Sequence, residues 1–115
     1  MTDRRTQVAD LPRAVATYLS TPKQQVGEIL DRLFTADAAV HDEGQTHLGI
    51  GAIQAWNGQV AAAFTFTRTI TSATMWPHAA IVTVHLEGDF PGNPVDLHHH
   101  FSLADEKITA MTICP

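Results

Sequence analysis

The chain has 115 residues, of which 44% are hydrophobic and 17% charged, and its formal net charge is −5 at pH 7. This length allows one domain with a single core. The acidic balance, with scattered Lys and Arg, argues against a nucleic-acid partner.

The cysteine content and the hydropathy of the sequence indicate the cellular compartment. The single cysteine, Cys114, excludes an internal disulfide and is typical of a reducing compartment. The polar N-terminus lacks the apolar run of a signal peptide, and no apolar stretch approaches the ~20 residues that span a bilayer. We therefore expect a cytoplasmic protein without a membrane partner.

The first third of the chain has helical periodicity. Residues 1–9 are predicted to form a flexible arm, followed by one domain over residues 10–115. Asp10 suits the N-cap of a first helix, in which Leu11, Val15, Tyr18 and Leu19 share a face. A second helix is expected to start with Thr21 as N-cap and Pro22 in its first position. Its apolar residues follow the i, i+3, i+4, i+7 pattern: Val26, Ile29, Leu30, Leu33 and Phe34.

Residues 38–41 are expected to be extended, and residues 42–44 (Asp-Glu-Gly) to form a turn. A third helix is predicted from Gly51, with Ile53, Trp56 and Val60 on one face. Residues 64–75 are rich in Thr, Ile and Phe, which favour strands, and the remaining sequence continues as strands separated by turns. It predicts four of them, at residues 64–75, 78–86, 95–103 and 107–113.

Helices followed by a meander of long strands indicate an α+β domain. We expect a cone-shaped, curved antiparallel sheet with three N-terminal helices packed on one face. Three helices and four or five strands do not easily fill such a cone, so a pocket is predicted between helices and sheet.

Three sequence motifs resemble those of the nuclear transport factor 2-like superfamily, and its SnoaL-like and ketosteroid isomerase-like small proteins look closest. The motifs are F-x-x-D-A-x-V-x-D at residues 34–42, G-x-x-x-I-x-x-W at residues 49–56 and F-x-L-x-D-x-K-I at residues 101–108. The resemblance covers roughly residues 10–113. The superfamily contains isomerases, cyclases, dehydratases and non-catalytic binders, so the fold alone does not imply an activity.

The resemblance to ketosteroid isomerase implies a catalytic set. Asp42 matches the general base, and Tyr18 matches the tyrosine of the oxyanion hole. The position of the protonated aspartate falls on His99, so true steroid isomerase activity is not expected. A plainer interpretation stays open for each residue. Asp42 could hydrogen-bond the backbone of its own turn, and Tyr18 could be a core aromatic without a catalytic role.

The run His98-His99-His100 is divided by strand alternation. His99 falls on the apolar face with Phe101, so it is the histidine expected to reach the pocket. His98 and His100 fall on the outer face, where the superfamily commonly dimerises. A metal site is not expected, because the sequence places no third ligand beside this pair.

Aromatic residues are predicted to wall the pocket, although plain core packing is the better explanation for each of them. The predicted ligand-contacting residues are Trp56, Phe34, His47, Phe101 and Phe66. His47 would lie at the pocket mouth.

These features together predict binding of a small, largely apolar molecule, with cofactor-free proton transfer of the isomerase or cyclase type if the protein is an enzyme. No glycine-rich phosphate loop and no catalytic nucleophile motif occur in the sequence, and we expect no cofactor. The alternative is a non-catalytic ligand-binding or protein-interaction module. A homodimer through the sheet is expected in either case.

Overall fold

The computed structural model describes residues 11–115, so the predicted arm at residues 1–9 and the capping role of Asp10 lie outside the described part. The helices are α1 (Arg13–Ser20), α2 (Lys23–Val26), α3 (Leu30–Leu33) and α4 (Ile50–Ala63), with a 3-10 turn at Gly27–Ile29 between α2 and α3. The strands are β1 (Phe34–Asp42), β2 (Gln45–Leu48), β3 (Phe66–Trp76), β4 (Ala79–Gly88), β5 (Val95–Ala104) and β6 (Lys107–Cys114).

The strands form one curved, open sheet with the order β2-β1-β6-β5-β4-β3. All neighbouring pairs are antiparallel except β1 and β6, which run parallel. The helices pack on the concave face, and the predicted α+β architecture is confirmed. No helix within residues 11–115 is long and apolar enough to cross a membrane.

The second predicted helix is broken into α2, the 3-10 turn and α3. Thr21 is not its N-cap, because the Thr21 hydroxyl donates to the Thr17 carbonyl oxygen at 2.7 Å and so closes α1. Pro22 occupies the N-cap position of α2 instead. Phe34 is not helical either; it begins β1, pairs with Ile108 of β6 and is fully buried.

The core lies between the helices and the inner face of the sheet. Alternation along the strands directs one set of side chains inward, among them Val40, Val82, Val84 and Met111, all fully buried. The hairpin turn at Asp105 and Glu106 has positive φ at both residues, as a tight type I′ connection requires.

Candidate functional site

Tyr18 lies at the centre of the space between α1 and the sheet. Its side chain is 1% exposed, and its ring makes edge-to-face contacts with Phe34 (centroids 5.6 Å apart) and Phe101 (6.3 Å). Burial raises the pKa of Tyr18, so its hydroxyl stays protonated at neutral pH. The ring is therefore a core aromatic, and its hydroxyl is a neutral hydrogen-bond donor in an apolar setting.

Lys23 is a buried site residue that the sequence did not predict. Its Nζ donates to the Tyr18 hydroxyl oxygen at 3.0 Å and lies 3.9 Å from the centroid of the Trp56 ring. Lys23 shares the spacing of Val26 and Leu30 (i, i+3, i+7), so helical periodicity directs all three inward. That spacing was the available signal, but a lysine at the start of a helix is ordinarily exposed.

Burial lowers the pKa of Lys23 to about 7, and the nearby Arg68 acts in the same direction while Asp42 opposes it. The charged form is disfavoured because apolar surroundings replace water around the ammonium. A substantial fraction of Lys23 is therefore neutral at physiological pH.

Asp42 points inward from the end of β1. Its Oδ2 accepts a hydrogen bond from the Trp56 indole N–H at 3.3 Å, and the residue is half-buried. Within residues 11–115 the Asp42 side chain makes no hydrogen bond to its own turn, where Glu43 and Gly44 have positive φ. His47 on β2 lies against the same indole, with ring centroids 5.8 Å apart.

His99 is buried on β5 and stacks on Phe101, with ring centroids 6.1 Å apart. Desolvation lowers the pKa of His99 to about 3, with smaller contributions from Lys23 and Arg68. Its imidazole is therefore neutral. Its Nδ1 has no hydrogen-bond partner among the described residues.

Arg68, on β3, also went unnoticed in the sequence. Its guanidinium donates to the backbone carbonyls of Tyr18 (3.3 Å) and Thr21, and lies 5.6 Å from the centroid of the Tyr18 ring. Arg68 thus ties the end of α1 to the sheet and adds positive charge beside the Tyr18–Lys23 pair.

The structure brings the predicted residues into two groups. The first group is centred on Tyr18, which contacts Phe34 and Phe101. His99 belongs to it because it stacks on Phe101. The second group is Asp42, Trp56 and His47. Lys23 contacts both groups. Phe66 belongs to neither, because it sits at the start of β3 and packs against Phe90.

Two surface clefts meet at α2. A cleft of about 560 Å³ lies between α2 and α4, lined by Lys23, Gln24, Gly27, Glu28, Gln54, Asn57, Gly58, Ala61 and Ala62. A second, of about 320 Å³, lies between α1 and β3, lined by Leu19, Ser20, Pro22, Lys23, Gln24, Phe66, Thr67 and Arg68. Tyr18 and Asp42, expected to line a pocket, line neither cleft; the Lys23 amine lies between the Tyr18 hydroxyl and the Trp56 ring.

The outer histidines lie where alternation places them. His98 Nδ1 is 2.9 Å from the Thr83 hydroxyl, and His100 is exposed. On the same face His85 lies between Asp96 (2.7 Å) and Glu87 (2.8 Å), and these hydrogen bonds raise its pKa. Over residues 11–115, no three His, Cys, Asp or Glu side chains are grouped as a metal site would need.

No protein-family model and no curated protein sequence match the chain, whereas solved structures do. A candidate polyketide cyclase from Sinorhizobium meliloti is 31% identical, with a TM-score of 0.87 over 95% of this chain and 100% of that one.

Two further structures share the fold. A ketosteroid isomerase-like protein from Catenulispora acidiphila, crystallised with trimethylamine, is 23% identical, with a TM-score of 0.72 over 90% and 85% of the two chains. A candidate SnoaL-like polyketide cyclase from Jannaschia is 18% identical, with a TM-score of 0.76 over 99% and 88%.

Proposed function

Because the chain belongs to the nuclear transport factor 2-like superfamily, with a SnoaL-like and ketosteroid isomerase-like architecture, we propose that it binds a small, largely apolar carbonyl compound between helices and sheet. We further propose that it moves a proton on that compound without a cofactor. The observation that carries the proposal is the placement of an inward-facing carboxylate, Asp42, in the same interior as a buried phenol, Tyr18.

Asp42 is the proposed base. Abstraction of a proton next to a carbonyl needs a carboxylate held at the edge of an apolar cavity. The Trp56 indole N–H supports this role, because its hydrogen bond to Oδ2 fixes the carboxylate orientation and leaves Oδ1 free of that contact.

Tyr18 is the proposed donor to the oxygen that becomes negative when the proton leaves. Its phenol is neutral and lies where water is excluded, which is where a hydrogen bond to an oxyanion is strongest. The Lys23 ammonium donates to the same phenol oxygen and increases the polarity of its O–H. His99, neutral and without a partner at Nδ1, is proposed as an auxiliary donor.

Entry of the ligand is proposed from the clefts beside α2. Lys23 lines both clefts and separates them from Tyr18, so its side chain has to move for a ligand to reach the phenol. Phe34, Phe101 and Trp56 would then wall the bound molecule, and His47 would cover the indole from β2.

The test is proton exchange on a panel of small enolisable ketones in deuterated water, followed by NMR. We expect the protein to accelerate loss of the α-proton signals and Asp42→Asn to reduce that rate by roughly 100-fold or more, in the range of general-base contributions. Asp37→Asn is the matched control, because Asp37 lies exposed on the same strand and should retain full activity.

Retained exchange in Asp42→Asn would exclude Asp42 as the base. The position of the Lys23 amine between Tyr18 and Trp56 favours the second candidate function, a non-catalytic binding module. Ketones that bind the protein without any exchange would support that module and overturn the catalytic proposal.

The assembly proposed is a homodimer through the outer face of the sheet. Residues such as Thr83, His98 and His100 line that face on β4 and β5, opposite the helices. A cytoplasmic location stays a prediction.

A further inference from the structure

The chain has two lysines, and their surroundings differ sharply. Lys107, at the start of β6, donates to the backbone carbonyl of Asp31 in an exposed position. Lys23 is 9% exposed, and within residues 11–115 no carboxylate lies within 4.0 Å of its amine. A buried amine without an acidic partner is costly to keep charged.

Within residues 11–115, the titratable groups that surround the Lys23 amine come from four elements. Tyr18 on α1 accepts its hydrogen bond, while Arg68 on β3 and His99 on β5 lie on the sheet side. In the part of the chain that the structure describes, Asp42 on β1 is the one acidic group that acts on this amine, and it opposes the lowering of the pKa without cancelling it. This environment favours the neutral amine, which is the nucleophilic form of lysine.

Lys23 lines the clefts on both sides of α2, the larger of about 560 Å³, so a compound of a few carbon atoms bound there lies beside this side chain. The amine itself lies against Tyr18 and Trp56 and has to turn toward the cleft to react. The Tyr18 hydroxyl, 3.0 Å from Nζ, lies close enough to exchange protons with an oxygen bound to the attacked carbon.

We propose that Lys23 is a carbonyl-reactive amine that forms a Schiff base with small aldehydes or ketones. The Nζ lone pair forms a bond to the carbonyl carbon, and the carbonyl π electrons move to oxygen, which takes up the proton lost by nitrogen. Tyr18 then donates its proton to the carbinolamine hydroxyl, and the C–O bond breaks to release water. Nitrogen forms the C=N bond, and its remaining proton returns to Tyr18.

This reactivity goes beyond the proposed proton transfer and does not depend on it, because it requires neither Asp42 nor turnover. Its probe is propanal with sodium cyanoborohydride, which reduces the imine and fixes the adduct on the amine. Peptide mass spectrometry then measures the modification of Lys23 and Lys107 within the same native molecule, so the comparison needs no variant.

At neutral pH we expect Lys23 to be modified at least about 10-fold faster than Lys107, since an ordinary lysine has under about 0.1% neutral amine there. The ratio should fall as the pH rises, because a higher pH raises the neutral fraction of any exposed amine. Asp42→Asn should retain the preference, which separates this reactivity from the proposed exchange activity.

A Tyr18→Phe variant tests the proton donor. It should slow adduct formation at Lys23 and leave Lys107 unaffected. Equal modification of the two lysines at neutral pH, or modification of Lys23 only in denaturant, would overturn the proposal.

Discussion

The Lys23 side chain places an ionisable group where the fold offers mainly apolar and aromatic neighbours. A pKa lowered from 10.5 to about 7 means that the charged form of Lys23 costs the folded protein roughly 5 kcal/mol at low pH, relative to the unfolded chain. Two contacts offset part of this cost: the hydrogen bond to Tyr18 and the position over the Trp56 ring. Methionine would occupy a similar volume without a charge to desolvate.

Replacing Lys23 by Met should therefore stabilise the protein at pH near 6 by a few kcal/mol and remove part of its pH dependence. Between about pH 7 and 10.5 the folded wild-type chain binds fewer protons at Lys23 than the unfolded chain. Unfolding then takes up a proton, so the wild-type free energy of unfolding should rise with pH across this window and be lowest below it. The measurement is urea denaturation at several pH values for both proteins. If the free energy of unfolding depends equally on pH in the two proteins, the pKa of Lys23 is not lowered by folding.

Single residues differ in how far the sequence predicts them. Periodicity placed Tyr18 inward, and strand alternation placed His99 inward, because both rules depend only on local geometry. The sequence left open whether the Asp42 side chain hydrogen-bonds its own turn or points into the interior. Its partner in the structure, Trp56, is 14 positions away, so no local rule decides between the two. Lys23 was missed because its residue type outweighed its helical spacing.

At the scale of elements, the pairing of β3 with β4 depends on close backbone contact at its open end. Gly88 pairs with Phe66, and a Cβ added to Gly88 would lie 2.5 Å from the Phe66 Cβ and closer still to the Thr65 carbonyl oxygen. By contrast, Gly58 lies exposed on α4, where an added Cβ meets nothing within 4 Å.

Gly88→Ala should therefore destabilise the protein by about 1–3 kcal/mol, as expected when backbone must shift to relieve overlap. Gly58→Ala should stabilise it by up to about 1 kcal/mol, because alanine is the better helix former. Thermal and urea unfolding measure both effects. The same sign of change in the two variants would contradict the packing described at the end of β4.

The strands β3 to β6 were predicted to within a few residues. Thr, Ile and Phe dominate β3, and apolar residues alternate with polar ones along much of β4 and β5. The short strand β2 (Gln45–Leu48) was missed, since four mostly exposed residues carry no burial pattern. Phe34 continued the apolar spacing of the second predicted helix, and only pairing with the distant β6 makes it extended.

At the scale of the whole molecule, the parallel contact between β1 and β6 organises the fold. It joins residues about 70 positions apart and brings Asp42 beside Ile113, so no local pattern predicts it. With the helices on the concave face, the opposite face of β4, β5 and β6 is left to solvent or to a partner. Its side chains mix apolar and polar groups, as interfaces between subunits commonly do.

If two copies associate through this face, a charge at its centre should separate them. Ile81 lies half-buried on the outer side of β4, between Thr74 of β3 and His100 of β5. In Ile81→Glu, association would remove a carboxylate from water without supplying an ionic partner. We expect this desolvation cost to prevent dimer formation at micromolar protein concentration, because an interface of standard size does not compensate for it.

Light scattering coupled to size-exclusion chromatography should give the mass of two chains for the wild-type protein and of one chain for Ile81→Glu. Gln59→Glu adds the same charge on the exposed side of α4, away from the sheet, and should remain dimeric. A wild-type protein with the mass of one chain, or an Ile81→Glu variant with the mass of two, would rule out assembly through the sheet. In the latter case the exposed Leu48 on β2 would be the next contact to test.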